Sequence, residues 1–223
     1  MQFQFFMGEK SMLRYRVPAC RFFMLVLLSS SAAAVEFEDY DYSRWSQEVT
    51  GCDLLASHGD DPGHVGGDIT SKTMDKEAAM AACHVAVDRD PENPRLNYQL
   101  GRTYGYSGRG EEAMPYRLKA VEQDYPQSLF VIGFLYFSGR TIEQDTCKAM
   151  ELWIRGARYQ RLAALVALPK HYMQGDFDGC GKTLSAEDLR AYLEQARKVS
   201  AGDYYVGMLV DELLEELDAS SLD

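Results

Sequence analysis

The sequence predicts an all-α protein, an α/α solenoid of helical hairpin repeats with a helical cap at its C-terminal end. The main observation is one short phrase that occurs three times between Tyr98 and Gly175. The copies read Leu100-Gly101-x-x-Tyr104, Ile132-Gly133-x-x-Tyr136-x-x-Gly139 and Leu168-Pro169-x-x-Tyr172-x-x-Gly175. The glycine position recurs after 32 and 36 residues, which is within the range of helical-hairpin repeats. The second observation is alanine at the packing positions of the return helices: Ala113 and Ala120, then Ala149 and Ala157. Hairpins of this kind stack and bury one another's apolar faces.

Residues 1–34 have the pattern of a secretory signal peptide. Four basic residues precede an apolar run from Phe22 to Leu28, and the segment ends in Ala32-Ala33-Ala34. A basic start, a short apolar core and small residues at the end are typical of such signals. The run is too short for the roughly 20 residues of a membrane-spanning helix, although an uncleaved anchor is an alternative. We therefore expect cleavage near Ala34, no stable membrane anchor afterwards, and export to the periplasm or outside the cell. The start codon is Met1 or Met12.

The charge of the remaining chain excludes one class of partner. Residues 1–34 hold four of the 23 Lys+Arg and one of the 34 Asp+Glu, so residues 35–223 carry a formal charge of −14. Nucleic-acid binding depends on basic patches that neutralise phosphates. We therefore expect no nucleic-acid partner.

Four cysteines remain after the predicted cleavage, and an even number in an exported chain favours disulfides. Four cysteines permit three pairings. Cys52 and Cys83 are 31 residues apart, and Cys147 and Cys180 are 33 apart, about one repeat in each case. Residues one repeat apart lie in adjacent layers, whereas Cys52 and Cys180 would be beyond disulfide reach. The spacing predicts bridges 52–83 and 147–180.

The chain divides into four predicted regions: the signal peptide 1–34, an acidic lead-in with a Gly-rich loop at 35–69, helical repeats at 70–183 and capping helices at 184–223. The lead-in is aromatic as well as acidic, and it is either loose or a short helix capped by Ser43. The next stretch, 58–67, has too much glycine and proline for regular structure.

Helix signals divide the repeat region into hairpins. Asp75 caps the first helix, and Pro94 and Pro126 each begin a later one. Pro115 should kink its helix or delay its start, and Pro169 should cause another kink. A capping box of Ser185 and Asp188 opens the cap. The predicted helices are 76–87, 95–106, 111–123, 127–137, 146–158 and 161–173. After them come a helix opened by Ser185, with an apolar stripe from Leu189 to Val199 and a break at Gly202, and a last helix at 203–217.

The second repeat resembles the Sel1-like repeat, a relative of the tetratricopeptide repeat. The residues that carry this resemblance are Ile132, Gly133, Tyr136, Gly139, Ile142, Asp145, Ala149 and Trp153. The first repeat, with Leu100, Gly101, Tyr104, Ala113 and Ala120, is nearer the tetratricopeptide pattern. The stretches Cys52-Asp53-Leu54-Leu55-Ala56, Ala82-Cys83 and Tyr98-Gln99-Leu100-Gly101-Arg102 are similar to exported Sel1-repeat proteins of Gram-negative bacteria. The resemblance covers about residues 50–180. It implies an all-helical scaffold that binds proteins or peptides, usually without catalysis.

The resemblance also implies which residues bind, because the first helix of each hairpin lines the concave face in such arrays. The residues at those positions are Arg95, Tyr98, Arg102, Tyr106, Phe130, Phe134, Phe137, Lys170 and Met173. Tyr98 and Phe130 are alternatively inter-repeat core, and the residues expected to bind are Arg95, Arg102, Tyr106, Phe134, Phe137 and Lys170. Arginine can hold a carboxylate through two parallel hydrogen bonds while aromatics take apolar side chains. These residues would suit an extended peptide with a carboxylate. The alternative is that the arginines are only solvated.

No motif indicates catalysis or a cofactor. The sequence lacks a phosphate-binding glycine loop, a Gly-x-Ser-x-Gly elbow and a His-Glu-x-x-His pair. Histidines near Cys52 and Cys83 match no usual zinc spacing, so no metal is expected. The function predicted is a non-catalytic interaction scaffold with a protein or peptide partner. The alternatives are a secreted enzyme or effector that uses the array as a frame, and a structural oligomer.

Overall fold

The computed structural model describes residues 35–220, and the regular structure in that range is helical, without strands. One 3-10 turn, Tyr42–Arg44, precedes the α-helices. The helices are α1 Gly51–Ala56, α2 Lys76–Arg89, α3 Pro94–Tyr106, α4 Gly110–Glu122, α5 Pro126–Ser138, α6 Thr146–Arg158, α7 Leu162–Met173, α8 Ala186–Val199 and α9 Tyr204–Ala219. The predicted all-α class is confirmed. The predicted signal peptide lies outside the described residues.

Local signals start the helices where the sequence predicts. Pro94 and Pro126 occupy the first turn of α3 and α5, where a missing N–H costs nothing. The Ser185 hydroxyl accepts a hydrogen bond from the Asp188 N–H at 3.1 Å, and the Asp188 carboxylate accepts one from the Ser185 N–H at 2.8 Å. This reciprocal pair is the capping box expected at the start of α8.

Two prolines lie inside helices and do not delay them. α4 begins at Gly110, before Pro115, and continues through it to Glu122. The expectation that Pro115 shifts the start of this helix is wrong. α7 likewise contains Pro169. In both places, packing against the neighbouring helices outweighs one lost backbone hydrogen bond.

Consecutive helices pack as hairpins, in the pairs α1–α2, α3–α4, α5–α6 and α7–α8, and α9 packs on α8. The glycine of the repeat phrase lets the two helices of a hairpin approach closely. In the second repeat, a Cβ on Gly133 would lie 2.5 Å from the indole of Trp153. That indole donates a hydrogen bond to the Phe130 carbonyl at 3.1 Å. The glycine is therefore a packing requirement, since any side chain there would displace the tryptophan.

Two disulfides join neighbouring parts of the stack. Cys52 on α1 is bonded to Cys83 on α2. Cys147, at the start of α6, is bonded to Cys180 in the loop after α7. These are the two pairs predicted from the one-repeat spacing. Each closes a loop of about one repeat, which on the chain-entropy view stabilises the fold by roughly 3–4 kcal/mol.

Residues 35–50 form an extended segment, which we call the strap, that runs along the stack in the reverse direction to the repeats. The Glu38 N–H donates to the Arg158 carbonyl at 2.9 Å, at the junction of α6 and α7. The Tyr40 hydroxyl donates to the Gln123 carbonyl at 2.9 Å, after α4. The Ser46 carbonyl accepts from Asn93 at 3.1 Å, just before α3. The strap therefore crosses three successive repeat junctions. Apart from the 3-10 turn Tyr42–Arg44, which is capped by Asp41 rather than by the predicted Ser43, the strap is extended and is held in place along the stack.

Candidate functional site

Arg95 holds a carboxylate, but the carboxylate is that of the protein's own Asp53. Both side chains are buried, and the guanidinium forms an ion pair with Asp53 while also donating to the Ser46 carbonyl at 3.0 Å. Asp53 accepts three further hydrogen bonds, from the Thr50 N–H and the Thr50 hydroxyl, each at 2.8 Å, and from Gln99 at 2.9 Å. Burial alone would raise the pKa of Asp53, but the Arg95 and Thr50 bonds outweigh it and hold that pKa below its usual value. Arg95 therefore fixes α1 and the strap to α3, and its predicted place on an open binding face is corrected.

Arg102 is also buried, and it holds both ends of the Gly-rich loop, residues 57–69. Its guanidinium donates to the Ala56 carbonyl at 2.8 Å and to the Ile69 carbonyl. The planar group lies 5.0 Å from the centre of the Tyr106 ring. The loop thus covers the first-helix face of the first repeat, and the prediction that Arg102 is exposed to a partner is wrong. The sequence shows no period in this loop, so its path could not be anticipated.

Deeper in the same loop, Asp61 forms a buried polar cluster that sequence reasoning missed. Asp61 is 1% exposed. It accepts hydrogen bonds from the Tyr125 hydroxyl at 2.8 Å and from the Gly63 N–H at 3.0 Å. Burial raises the pKa of Asp61 to about 6. Arg161 lies nearby and donates to Gln127. Because these groups are enclosed by protein, a substrate atom has no access to them in this conformation.

A sequence signal for this cluster does exist. The residues directly before α3, α5 and α7 are Asn93, Tyr125 and Arg161, and all three are buried. They recur with the same steps of 32 and 36 residues as the repeat phrase. Asn93 binds the strap and Tyr125 binds the 57–69 loop. A large polar residue at this junction, repeated in register, therefore marks where the N-terminal segment is attached.

The remaining predicted residues are accessible to different degrees. Tyr106 is 40% exposed and Phe134 is 41% exposed, and the Arg140 guanidinium lies 5.9 Å from the Phe134 ring. Lys170 is exposed, while Phe137 is half-buried against Trp153 and His171. Arg102, Phe134 and Lys170 each follow the glycine or proline of the repeat phrase, so they occupy equivalent places on α3, α5 and α7. The 57–69 loop covers this place in the first repeat and leaves it exposed in the next two.

The architecture matches one group of known proteins. Among solved structures, the chain is similar to a Sel1 repeat protein from Oxalobacter formigenes, with 21% sequence identity and a TM-score of 0.50. The fold is that of Sel1 repeats. The match covers 63% of this chain and 40% of that chain, so this chain spans less than half the length of that Sel1 repeat protein. No protein-family model and no curated protein matches the sequence.

Within residues 35–220, the Sel1-type hairpins bring no three His, Cys, Asp or Glu side chains together as a metal site. No helix in this same range has the length and apolar character needed to cross a membrane. What the arrangement holds chemically is an extended segment of its own chain. This segment, the strap, is held through backbone hydrogen bonds and through aromatic contacts such as that of Tyr40 with Tyr125 at 6.0 Å.

Proposed function

We propose that this protein is an exported, non-catalytic scaffold that binds a protein or peptide partner on the first-helix face of its second and third repeats. The observation that carries the proposal is a contrast between repeats: the first-helix face is covered in the first repeat and exposed in the second and third. At equivalent places, Arg102 is buried under the protein's own loop, while Phe134 and Lys170 face outward.

The way in which the repeats hold the strap supports an extended peptide as the class of partner. The strap lies extended across three repeat junctions and is held by carbonyl, amide and aromatic contacts rather than by a preformed helix or sheet. A partner segment of the same kind would meet an exposed aromatic ring, Phe134, and the cation of Lys170. Aromatic anchors beside a positive charge favour peptides with apolar and acidic side chains.

Site-specific photo-cross-linking in the native compartment tests this face. A photoreactive phenylalanine analogue replaces Phe134 on α5 in one strain and Leu118 on α4 in another. These positions are 41% and 37% exposed, so they are matched in accessibility and differ in which helix of the hairpin carries them. We expect one strong adduct at position 134 and little at 118, and we expect Lys170→Glu to reduce that adduct without changing the thermal midpoint. Equal adducts at both positions would contradict the proposal.

Export rests on the signal-like residues 1–34 and on the two disulfides, since disulfides persist in oxidising compartments. In the proposed organisation, cleavage near Ala34 leaves the lead-in 35–69, the repeats 70–183 and the cap 184–223. Non-reducing peptide mapping of protein from its native compartment should find bridges 52–83 and 147–180 and an N-terminus near Val35. Free thiols on an uncleaved chain would refute export.

A further inference from the structure

Arg117 is a buried arginine whose charge nothing in residues 35–220 neutralises. It lies on α4 and is 8% exposed. Its Nε is fully buried and has no hydrogen-bond partner. The guanidinium makes no hydrogen bond and no ion pair within the described range. A buried charge without compensation is costly, so proteins normally pair it.

Comparison of the repeats shows that this arginine is an exception to the pattern. Arg117 follows Ala113 by four residues, as Trp153 follows Ala149 in the second repeat. Both side chains lie against the glycine of the repeat phrase: a Cβ on Gly101 would lie 2.6 Å from Arg117 Cγ, as one on Gly133 would lie 2.5 Å from Trp153. The space beside the repeat glycine that holds a hydrogen-bonded indole in the second repeat therefore holds the aliphatic stem of Arg117 in the first, and the guanidinium lies one turn further along α3, at Gly105.

The charged end of Arg117 reaches the C-terminal end of α3. A Cβ on Gly105 would overlap its Nη2 atom, so the guanidinium occupies the space that a side chain there would fill. The next residue is Tyr106, which is 40% exposed. The guanidinium is thus covered on the side of α3, and the Tyr106 phenol is near enough to act on its charge.

Two cations lie near Tyr106, and neither has a carboxylate partner in the described residues. Arg102 donates to backbone carbonyls, and its guanidinium is 5.0 Å from the Tyr106 ring. Burial lowers the pKa of Arg117, and the groups that act in the opposite direction are the phenols of Tyr98 and Tyr106 rather than an acid. The sequence contains 34 Asp+Glu, and several arginines at the surface, such as Arg190 with Asp218 and Arg197 with Asp211, are paired with them.

We propose that the Arg117 guanidinium, at the C-terminal end of α3, binds a carboxylate of an extended partner peptide, either an acidic side chain or the chain end. This inference rests on the proposed scaffold function and adds a chemical requirement to it. The sequence predicts that Arg95 binds the partner's carboxylate; since Arg95 is buried, that binding is assigned to Arg117, on the return helix α4. Arginine donates two parallel hydrogen bonds to a carboxylate, which would supply the partners that Arg117 lacks.

The test uses the oxidised full chain with labelled arginine side chains, observed by NMR. Three acetylated probe peptides of otherwise equal composition are titrated: Gly-Phe-Gly with a free C-terminal carboxylate, Gly-Phe-Gly with a C-terminal amide, and Gly-Phe-Asp with a C-terminal amide. We expect a saturable shift of the Arg117 Nε–H resonance with a carboxylate-bearing peptide, and binding about tenfold or more weaker with the uncharged one. Comparison of the two carboxylate peptides identifies the chain end or the side chain as the source.

Two variants and one control complete the test. Arg117→Trp introduces the residue of the second repeat, and Arg117→Met keeps the length without the charge, so one remains informative if the other does not fold. Both should lose the preference for the carboxylate peptides, while Arg190→Met should keep it. Equal binding of charged and uncharged probes, no saturable shift, or unchanged binding by either folded Arg117 variant would overturn the proposal. If the adduct at position 134 forms equally in wild type and Arg117→Met, the scaffold function stands and the carboxylate site is wrong.

Discussion

Replacing Arg95 by methionine distinguishes a structural arginine from a ligand-binding one. Methionine fills most of the same space but leaves the Asp53 carboxylate buried without its ion-pair partner. Breaking a buried pair from one side typically costs about 3–5 kcal/mol. For a chain of this size that corresponds to a fall in thermal midpoint of roughly 6–20 °C. We expect Arg95→Met to be among the most destabilising substitutions on α3.

A double-mutant cycle with Asp53→Asn isolates the interaction. Because the amide carries no charge, the variant with both substitutions should recover much of the loss, with a coupling energy of about 1–3 kcal/mol. The pH dependence gives a second check. The pKa of Asp53 is lowered in the folded wild type, so its contribution to stability is present above about pH 4 and is lost as the pH falls further. In Arg95→Met the Asp53 carboxylate is buried without a counter-charge, so the destabilisation should shrink on acidification.

Urea unfolding followed by circular dichroism at several pH values measures all four proteins of this cycle. If Arg95→Met left stability unchanged and instead abolished capture of the partner at position 134, the internal ion pair would not be its main role. The interpretation of Arg95 as a fixed part of the fold would then be refuted. Additive effects of the two single substitutions would refute it as well.

Three further predictions concern other parts of the fold. Burial raises the pKa of Asp61 to about 6, so the contribution of the protonated carboxyl to stability is full below about pH 4 and is lost as the pH rises through 6. Asp61→Asn should therefore gain about 3 kcal/mol of unfolding free energy relative to wild type between those two pH values. A difference between the two proteins that does not change with pH would contradict this. Gly133→Ala should destabilise the protein by about 1–3 kcal/mol because the added Cβ meets Trp153. Gly207→Ala has nothing within 4 Å of the added Cβ and should stabilise α9 by up to about 1 kcal/mol. Urea midpoints compare the two variants, and equal shifts would exclude the packing explanation. Replacing the 147–180 bridge by two serines should cost roughly 3–4 kcal/mol in the same assay, and no change would mean that the bridge does not restrict the unfolded chain.

The helices were predictable because their signals act over a few residues. A capping side chain such as Ser185 meets a backbone N–H three residues away, and a proline such as Pro126 restricts its own backbone angle. The repeat phrase likewise determines packing within one hairpin, as between Gly133 and Trp153. The disulfides followed because one repeat of separation places two residues in adjacent layers. The delayed start that Pro115 was expected to cause did not occur, since that effect depends on how strongly the neighbouring helices hold α4.

The predicted exposure of Arg95 and Arg102 was wrong, for a different physical reason. Exposure of an arginine depends on what else packs against it, and Arg95 and Arg102 are covered by segments that have no period. Asp53 lies 42 residues before Arg95, and Asp61 lies 64 residues before its partner Tyr125. No local pattern relates residues so far apart, because a non-repeating loop can take many paths before the stack forms.

By itself, the sequence determined the helical repeats, their register and the pairing of cysteines one repeat apart, since all of these depend on spacing along the chain. The tertiary structure alone decided where the strap and the 57–69 loop attach, and therefore which cations are neutralised. Burial removes water from a charge, so each buried arginine requires a partner brought to it by folding. Arg95 and Arg102 have theirs, while Arg117 has none among residues 35–220.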